Sequence, residues 1–273
     1  MLSTIENIIF LVLATPIIIS GLISNPSIIA ITLKNINTRT TLNLLTLPIF
    51  FVGFTSIAIL IPLVILNVYI NNDSSSTLCN IIIILHYMLC IIFFLSILVI
   101  LGLRLIYLIF PTFLNRFTIK QVLLTAFGLI FLVTLSFLIN MLTKTNSVIL
   151  IPICAQSPVE GSAMRFSLYA GIGIFLTLLL IAVQVLVNEV TSRKQMNFSP
   201  TSSPSINLLT KKETEKVLVT TVFMFFMSHA AVEMSLFYHN THISHWMFLI
   251  FIIIIGHGLS AAVLPSWILF KIR

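Results

Sequence analysis

The chain alternates long runs of Ile, Leu, Val and Phe with short polar stretches. The runs do not alternate apolar with polar as a half-buried strand does, and they exceed the roughly 10-residue segments of a β-barrel wall. Crossing ~30 Å of hydrocarbon takes about 20 residues of helix. On that measure the pattern predicts helices near Ile8–Leu33, Asn43–Ile70, Cys79–Phe110, Gln121–Leu142, Phe166–Val187, Lys216–Phe237 and Trp246–Phe270. The expected fold is all-α, an integral membrane seven-transmembrane-helix bundle forming a single domain over residues 1–273. The sixth run is interrupted by His229 and Glu233. The first lacks a basic leader and is longer than a signal peptide's apolar core, so it is expected to remain as a helix. The longest connection, about 190–212, contains FSPTSSPS at 198–205 and is expected to be a mobile cytoplasmic linker.

Composition removes the soluble alternatives. Hydrophobic residues make up 59% and charged residues 8% of the chain, against roughly 45–50% and 25% in an ordinary globular domain. With a mean hydropathy of +1.16, too few charges remain to coat a water-facing surface. The net charge of +7 would suit a nucleic-acid partner, but its distribution does not. Lys34, Arg39, Arg104, Arg116, Lys120, Arg193, Lys194, Lys211, Lys212, Lys216, Lys271 and Arg273 fall on one side of the predicted bundle, and only Lys144 and Arg165 on the other. This positive-inside bias places the N-terminus outside and the C-terminus in the cytoplasm. The lipid bilayer is therefore an expected partner and nucleic acid is not. No internal repeat is visible, and the predicted midplane is nearly charge-free. Both features disfavour the main rival class, a small transporter or channel.

The third run carries the most informative spacing. Cys79 opens it, Arg104 follows 25 positions later, and Pro111 lies seven beyond that. Asn25 stands in Ser24-Asn25-Pro26, Asn43 opens the second run, Pro62 lies within it, and Pro265 lies near the end of the seventh. Together these positions resemble the rhodopsin-like (class A) G-protein-coupled receptors over essentially the whole chain. The departures are large. Leu103 and Leu105 flank the arginine where the family has an acid and a tyrosine. Gly53 stands where it has a sodium-binding aspartate, and Leu264 and Ile268 stand beside Pro265 in place of Asn and Tyr. His229 and Ala231 align with the family's helix 6 tryptophan and proline. Eight residues follow Pro265, so no eighth amphipathic helix is expected. Such a sequence suits a very divergent member of the chemosensory or virally encoded kind.

The resemblance implies a receptor in the plasma membrane (a host membrane, if viral) that turns binding of an unidentified extracellular ligand, or basal isomerisation, into activation of a heterotrimeric G protein. Arg104 would face the G protein; the plainer alternative is an arginine that snorkels to the headgroups. A disulfide would join Cys79 to Cys154, the alternative being two free thiols. Leu103 cannot pair with Arg104, so one off-state restraint is lost and basal activity is favoured. Four intramembrane polar residues, His86, His229, Glu233 and His257, are candidates for a ligand pocket, because polar side chains at that depth usually face the bundle interior. Cys90, mid-helix, reads as a small buried apolar residue. Asn72-Asp73-Ser74 is a glycosylation sequon on the outer side, close enough to helix 2 to hinder transfer. No HExxH, Walker loop or GxSxG is present, so no enzyme, metal or cofactor is expected. A non-signalling receptor-like protein is the further alternative.

The outer placement of Cys79 and Cys154 generates a first test. Peptide mapping of unreduced, membrane-extracted protein is expected to recover the two cysteine peptides linked. Recovery of both as freely alkylated thiols would refute the bridge.

Overall fold

The computed structural model describes residues 4–34, 44–63, 66, 76–110, 118–143, 162–197 and 218–227. All of their regular structure is helical, with no strand among the described residues. We number the helices α1 (Thr4–Lys34), α2 (Leu47–Leu63), α3 (Ser76–Ile109), α4 (Ile119–Thr143), α5 (Ser162–Asn197) and α6 (Leu218–Met227). The seventh predicted helix, Trp246–Phe270, lies outside the described residues.

Each helix overlaps its predicted run, but the ends follow backbone chemistry rather than hydropathy. At the start of α4, Gln121 N–H donates to Thr118 Oγ1 at 3.3 Å and Thr118 N–H donates to Gln121 Oε1 at 2.9 Å. This reciprocal capping box satisfies two donors that helix geometry leaves open, and it moves the start ahead of the predicted Gln121. α5 continues ten residues past Val187, through polar but helix-tolerant residues, because a helix does not need apolarity to propagate. In α2, Ile61 N–H bonds the carbonyl of Ser56, five residues back, which makes Ser56–Leu60 a π turn. Pro62 follows at once. A proline ring crowds the carbonyl four residues behind it, here that of Ala58, and the wider turn gives it room.

α3 is the central helix. It packs against α2, α4 and α5, while α1 packs against α2. Its inward stripe runs Ile82, Leu89, Phe93, Ile97, Ile100, all at most 5% exposed. α5 answers with Leu176, Leu180, Val183 and Val187, and α6 with Leu218, Val222, Phe225 and Phe226. The spacings of three and four keep these residues on one face.

The outward faces are equally apolar. Leu124, Phe131 and Leu132 on α4, and Phe175 and Leu178 on α5, are all more than 60% exposed. Soluble monomers rarely show apolar surface on this scale. Two described stretches, Thr15–Lys34 and Ile84–Ile106, are long and apolar enough to cross a membrane; 28% and 39% of them are buried. A soluble protein's core helix would be covered on most sides. The exposure therefore supports association with a membrane.

One close approach fixes α6 against α5. A Cβ added at Gly173 would fall onto the Phe226 side chain and lie 3.6 Å from its Cα. Glycine is required there for packing. Gly128 on α4 has nothing within 4 Å of the same position. Gly173→Ala is expected to cost about 1–3 kcal/mol through overpacking, read as a lower melting temperature in detergent. Gly128→Ala is expected to be neutral, or to stabilise by about 0.5–1 kcal/mol. Equal behaviour of the two variants would refute the notch.

Candidate functional site

Arg104 extends the inward stripe of α3. Phe93, Ile97, Ile100 and Arg104 are spaced four, three and four apart, so helix geometry turns the arginine toward the same interior as the isoleucines. The residue is 1% exposed. Its Nη1 donates to Oε1 of Gln184 on α5 at 2.8 Å. The head group thus points into the α3–α5 seam, which is not the geometry of an arginine snorkelling outward. Leu101 beside it, and Val183 and Val187 flanking Gln184, are at most 3% exposed. A cation among such walls has lost most of its hydration and depends on the hydrogen bonds it makes.

Leu105 is 37% exposed and Leu103 is half-buried, and neither can accept a hydrogen bond through its side chain. The arginine is nonetheless restrained, by an amide 80 positions away in the sequence. Sequence reasoning missed Gln184. The signal was present: it is the one amide in the apolar stretch Gly171–Val187, and polar groups in such stretches face the interior.

His86 lies on the same stripe, 18 residues before Arg104. That is five helical turns, about 27 Å, so the two polar groups sit near opposite ends of one face. His86 is half-buried. Its ring packs edge-on against Tyr87, with centroids 5.6 Å apart, and its Nε2 is 3.7 Å from Cys90 Sγ. Cys90 is partly buried and packs against the hydrophobic core. The other pocket candidates, His229, Glu233 and His257, lie outside the described residues, as do Cys154 and Asn72. Cys79 is on α3, but its side chain is not among those described. The candidate pocket is therefore represented by His86. Among the described residues, no three His, Cys, Asp or Glu are grouped to hold a metal ion.

Between these ends lies an aromatic joint that sequence reasoning assigned only to general packing. Phe93 stacks on Phe225 of α6, with centroids 3.7 Å apart and planes 10° apart. Phe226 meets Phe93 edge-on at 6.3 Å and Phe225 edge-on at 5.6 Å. The joint ties α6 to the middle of α3, while Gly173 receives Phe226 on the α5 side.

On the α1–α2 side, Asn25 is fully buried and its Nδ2 donates to the Gly21 carbonyl at 2.9 Å. Gly53 is buried on α2 just before the π turn.

The Arg104–Gln184 bridge has a stability signature. Gln184→Leu removes an acceptor from a buried cation and is expected to cost about 1–3 kcal/mol. The double variant Arg104→Met/Gln184→Leu replaces both partners by apolar groups and is expected to melt at or above the wild-type temperature. A double variant that melts below the Gln184→Leu single would contradict this.

No protein-family model matches the chain, and no curated protein matches it in sequence.

Proposed function

We propose that the chain is a divergent seven-helix membrane receptor of the rhodopsin-like class, lying in the plasma membrane with its N-terminus outside, and that it activates a heterotrimeric G protein. The observation that supports the reading is a cation buried on the inward face of the central helix. Arg104 occupies a core position of the central helix, 25 residues after Cys79, where an apolar side chain would pack at lower cost. The strongly one-sided distribution of Lys and Arg supports a cytoplasmic position for that end of α3.

In this reading His86, at the opposite end of the same stripe, belongs to the ligand-facing side together with His229, Glu233 and His257. Ligand binding, or spontaneous isomerisation, changes how α6 sits on α3 and α5 and opens the cytoplasmic end around Arg104. The aromatic joint at Phe93, Phe225 and Phe226 is the contact on which such a movement turns. Nothing in this mechanism calls for covalent chemistry, a metal or a cofactor.

The test is G-protein activation in cells at matched surface expression. Arg104→Ala is expected to bring activation to the level of mock-transfected cells. Leu103→Asp, which returns an acid beside the arginine, is expected to lower ligand-free output by about tenfold if the restored restraint is worth about 1.4 kcal/mol. Wild-type output indistinguishable from mock cells across a range of expression levels would refute the reading.

A further inference from the structure

We propose that His86 and Cys90 form a two-point chelate for a thiophilic divalent cation of the zinc class, at the end of α3 remote from Arg104. The proposal goes beyond the receptor reading and does not depend on it, since binding of an ion is measured without any signalling partner.

One turn of α3 builds the pair. Residues four apart on a helix lie on the same face, and here Nε2 of His86 stands 3.7 Å from Sγ of Cys90. That separation is informative. A zinc ion sits about 2.0–2.1 Å from an imidazole nitrogen and about 2.3 Å from a thiolate sulfur. From those lengths, the two donors would lie ~3.6 Å apart in tetrahedral coordination, ~3.1 Å apart at a right angle and ~4.4 Å apart in a linear complex. The observed gap falls beside the tetrahedral value, so an ion enters between the two atoms without a shift of the backbone.

The surroundings hold both donors in place. Cys90 and Tyr87 pack against the hydrophobic core. The Tyr87 ring meets the imidazole edge-on at 5.6 Å, with planes 74° apart, which restricts rotation of the histidine. Both donors make further contacts. The chelate does not require those contacts to be absent, because the ion takes the place of the thiol proton. In that exchange the S–H bond breaks, a sulfur–metal bond forms and the proton passes to water. The imidazole contributes a lone pair, and no electron changes hands.

Depth and donor type select the ion. His86 and Cys90 lie two and six residues inside the apolar stretch Ile84–Ile106, which is ~3 Å and ~9 Å of helix rise from its end. Both side chains are partly exposed, so water can reach the site and fill the open positions. One nitrogen and one sulfur suit zinc and its congeners, whereas magnesium and calcium take oxygen ligands. Two protein ligands are fewer than the three of a catalytic zinc or the four of a structural one. The site therefore takes up an exchangeable ion from solution.

The experiment titrates the full chain in lipid nanodiscs with Co2+ as a spectroscopic stand-in for Zn2+. A thiolate bound to cobalt gives an ultraviolet charge-transfer band, and tetrahedral cobalt gives visible bands far stronger than octahedral cobalt does. The native chain is expected to show both, and Zn2+ but not Mg2+ is expected to abolish them by displacement. Cys90→Ser is expected to lose the charge-transfer band. His86→Gln is expected to weaken Co2+ binding about tenfold or more. His86→Cys, which supplies a second thiolate at the same spacing, is expected to bind more tightly and to raise the charge-transfer band roughly twofold. A band that survives Cys90→Ser places the ion on another cysteine and overturns the site. Unchanged affinity in His86→Gln, or weak octahedral bands in the native chain, also overturns it. Should Cys90→Ser fail to reach the membrane, His86→Gln and His86→Cys still have to move the affinity in opposite directions.

Discussion

The described structure turns on one costly placement, a guanidinium inside an apolar helix seam. Removing an ion from water without compensation is among the most unfavourable steps in folding, and buried charges persist only when hydrogen-bonded. Arg104 meets that condition in part through Gln184, and the need to meet it bears on much else. It sets the register of α5 against α3, since the amide must arrive at the level of the guanidinium. It also demands that Leu180, Val183 and Val187 continue the seam on either side, so that the two helices meet along a face and not at a point.

α3 acts as the spine because its inward stripe is regular over about six turns. Ile82, His86, Leu89, Phe93, Ile97, Ile100 and Arg104 recur at intervals of three and four, so one rigid face carries a polar group toward each end and apolar contacts between. A rigid rod joining two polar ends is suited to transmitting a change over about 27 Å without a chain of polar contacts. The joint at Phe93, Phe225 and Phe226 and the notch at Gly173 give the partner helix a defined seat. Stacked rings set against a glycine have few alternative packings, so the seat of α6 is well defined.

The restraint on Arg104 differs in kind from the one the family resemblance implies. There an acid next in sequence holds the arginine, so the restraint is local to one helix. Here the neighbour is Leu103 and the acceptor comes from α5. A local pair is indifferent to how the helices are arranged, whereas a contact across helices reports on their separation. In this chain the Gln184 amide couples the arginine directly to helix packing.

Much was legible from residues alone. Run length against bilayer thickness gave the helical class and the approximate extent of α1 to α5, and the family resemblance singled out Arg104. These properties are local: a helix of ~20 apolar residues satisfies its own backbone bonds wherever it sits. The capping box at Thr118 and the wide turn before Pro62 were also local, and a closer reading of Thr118-Ile119-Lys120-Gln121 would have moved the start of α4. Tertiary structure alone decided which group answers the arginine, which glycine has to be a glycine, and which phenylalanines stack. Gln184 stands among leucines and valines that look alike in sequence, and Gly173 resembles Gly128 and Gly171. Only the rotation and depth at which α5 meets α3 and α6 bring Oε1 within 2.8 Å of Nη1 and Phe226 over Gly173. Where inward and outward faces are equally apolar, hydropathy carries no information about that rotation, and packing and buried hydrogen bonds have to supply it.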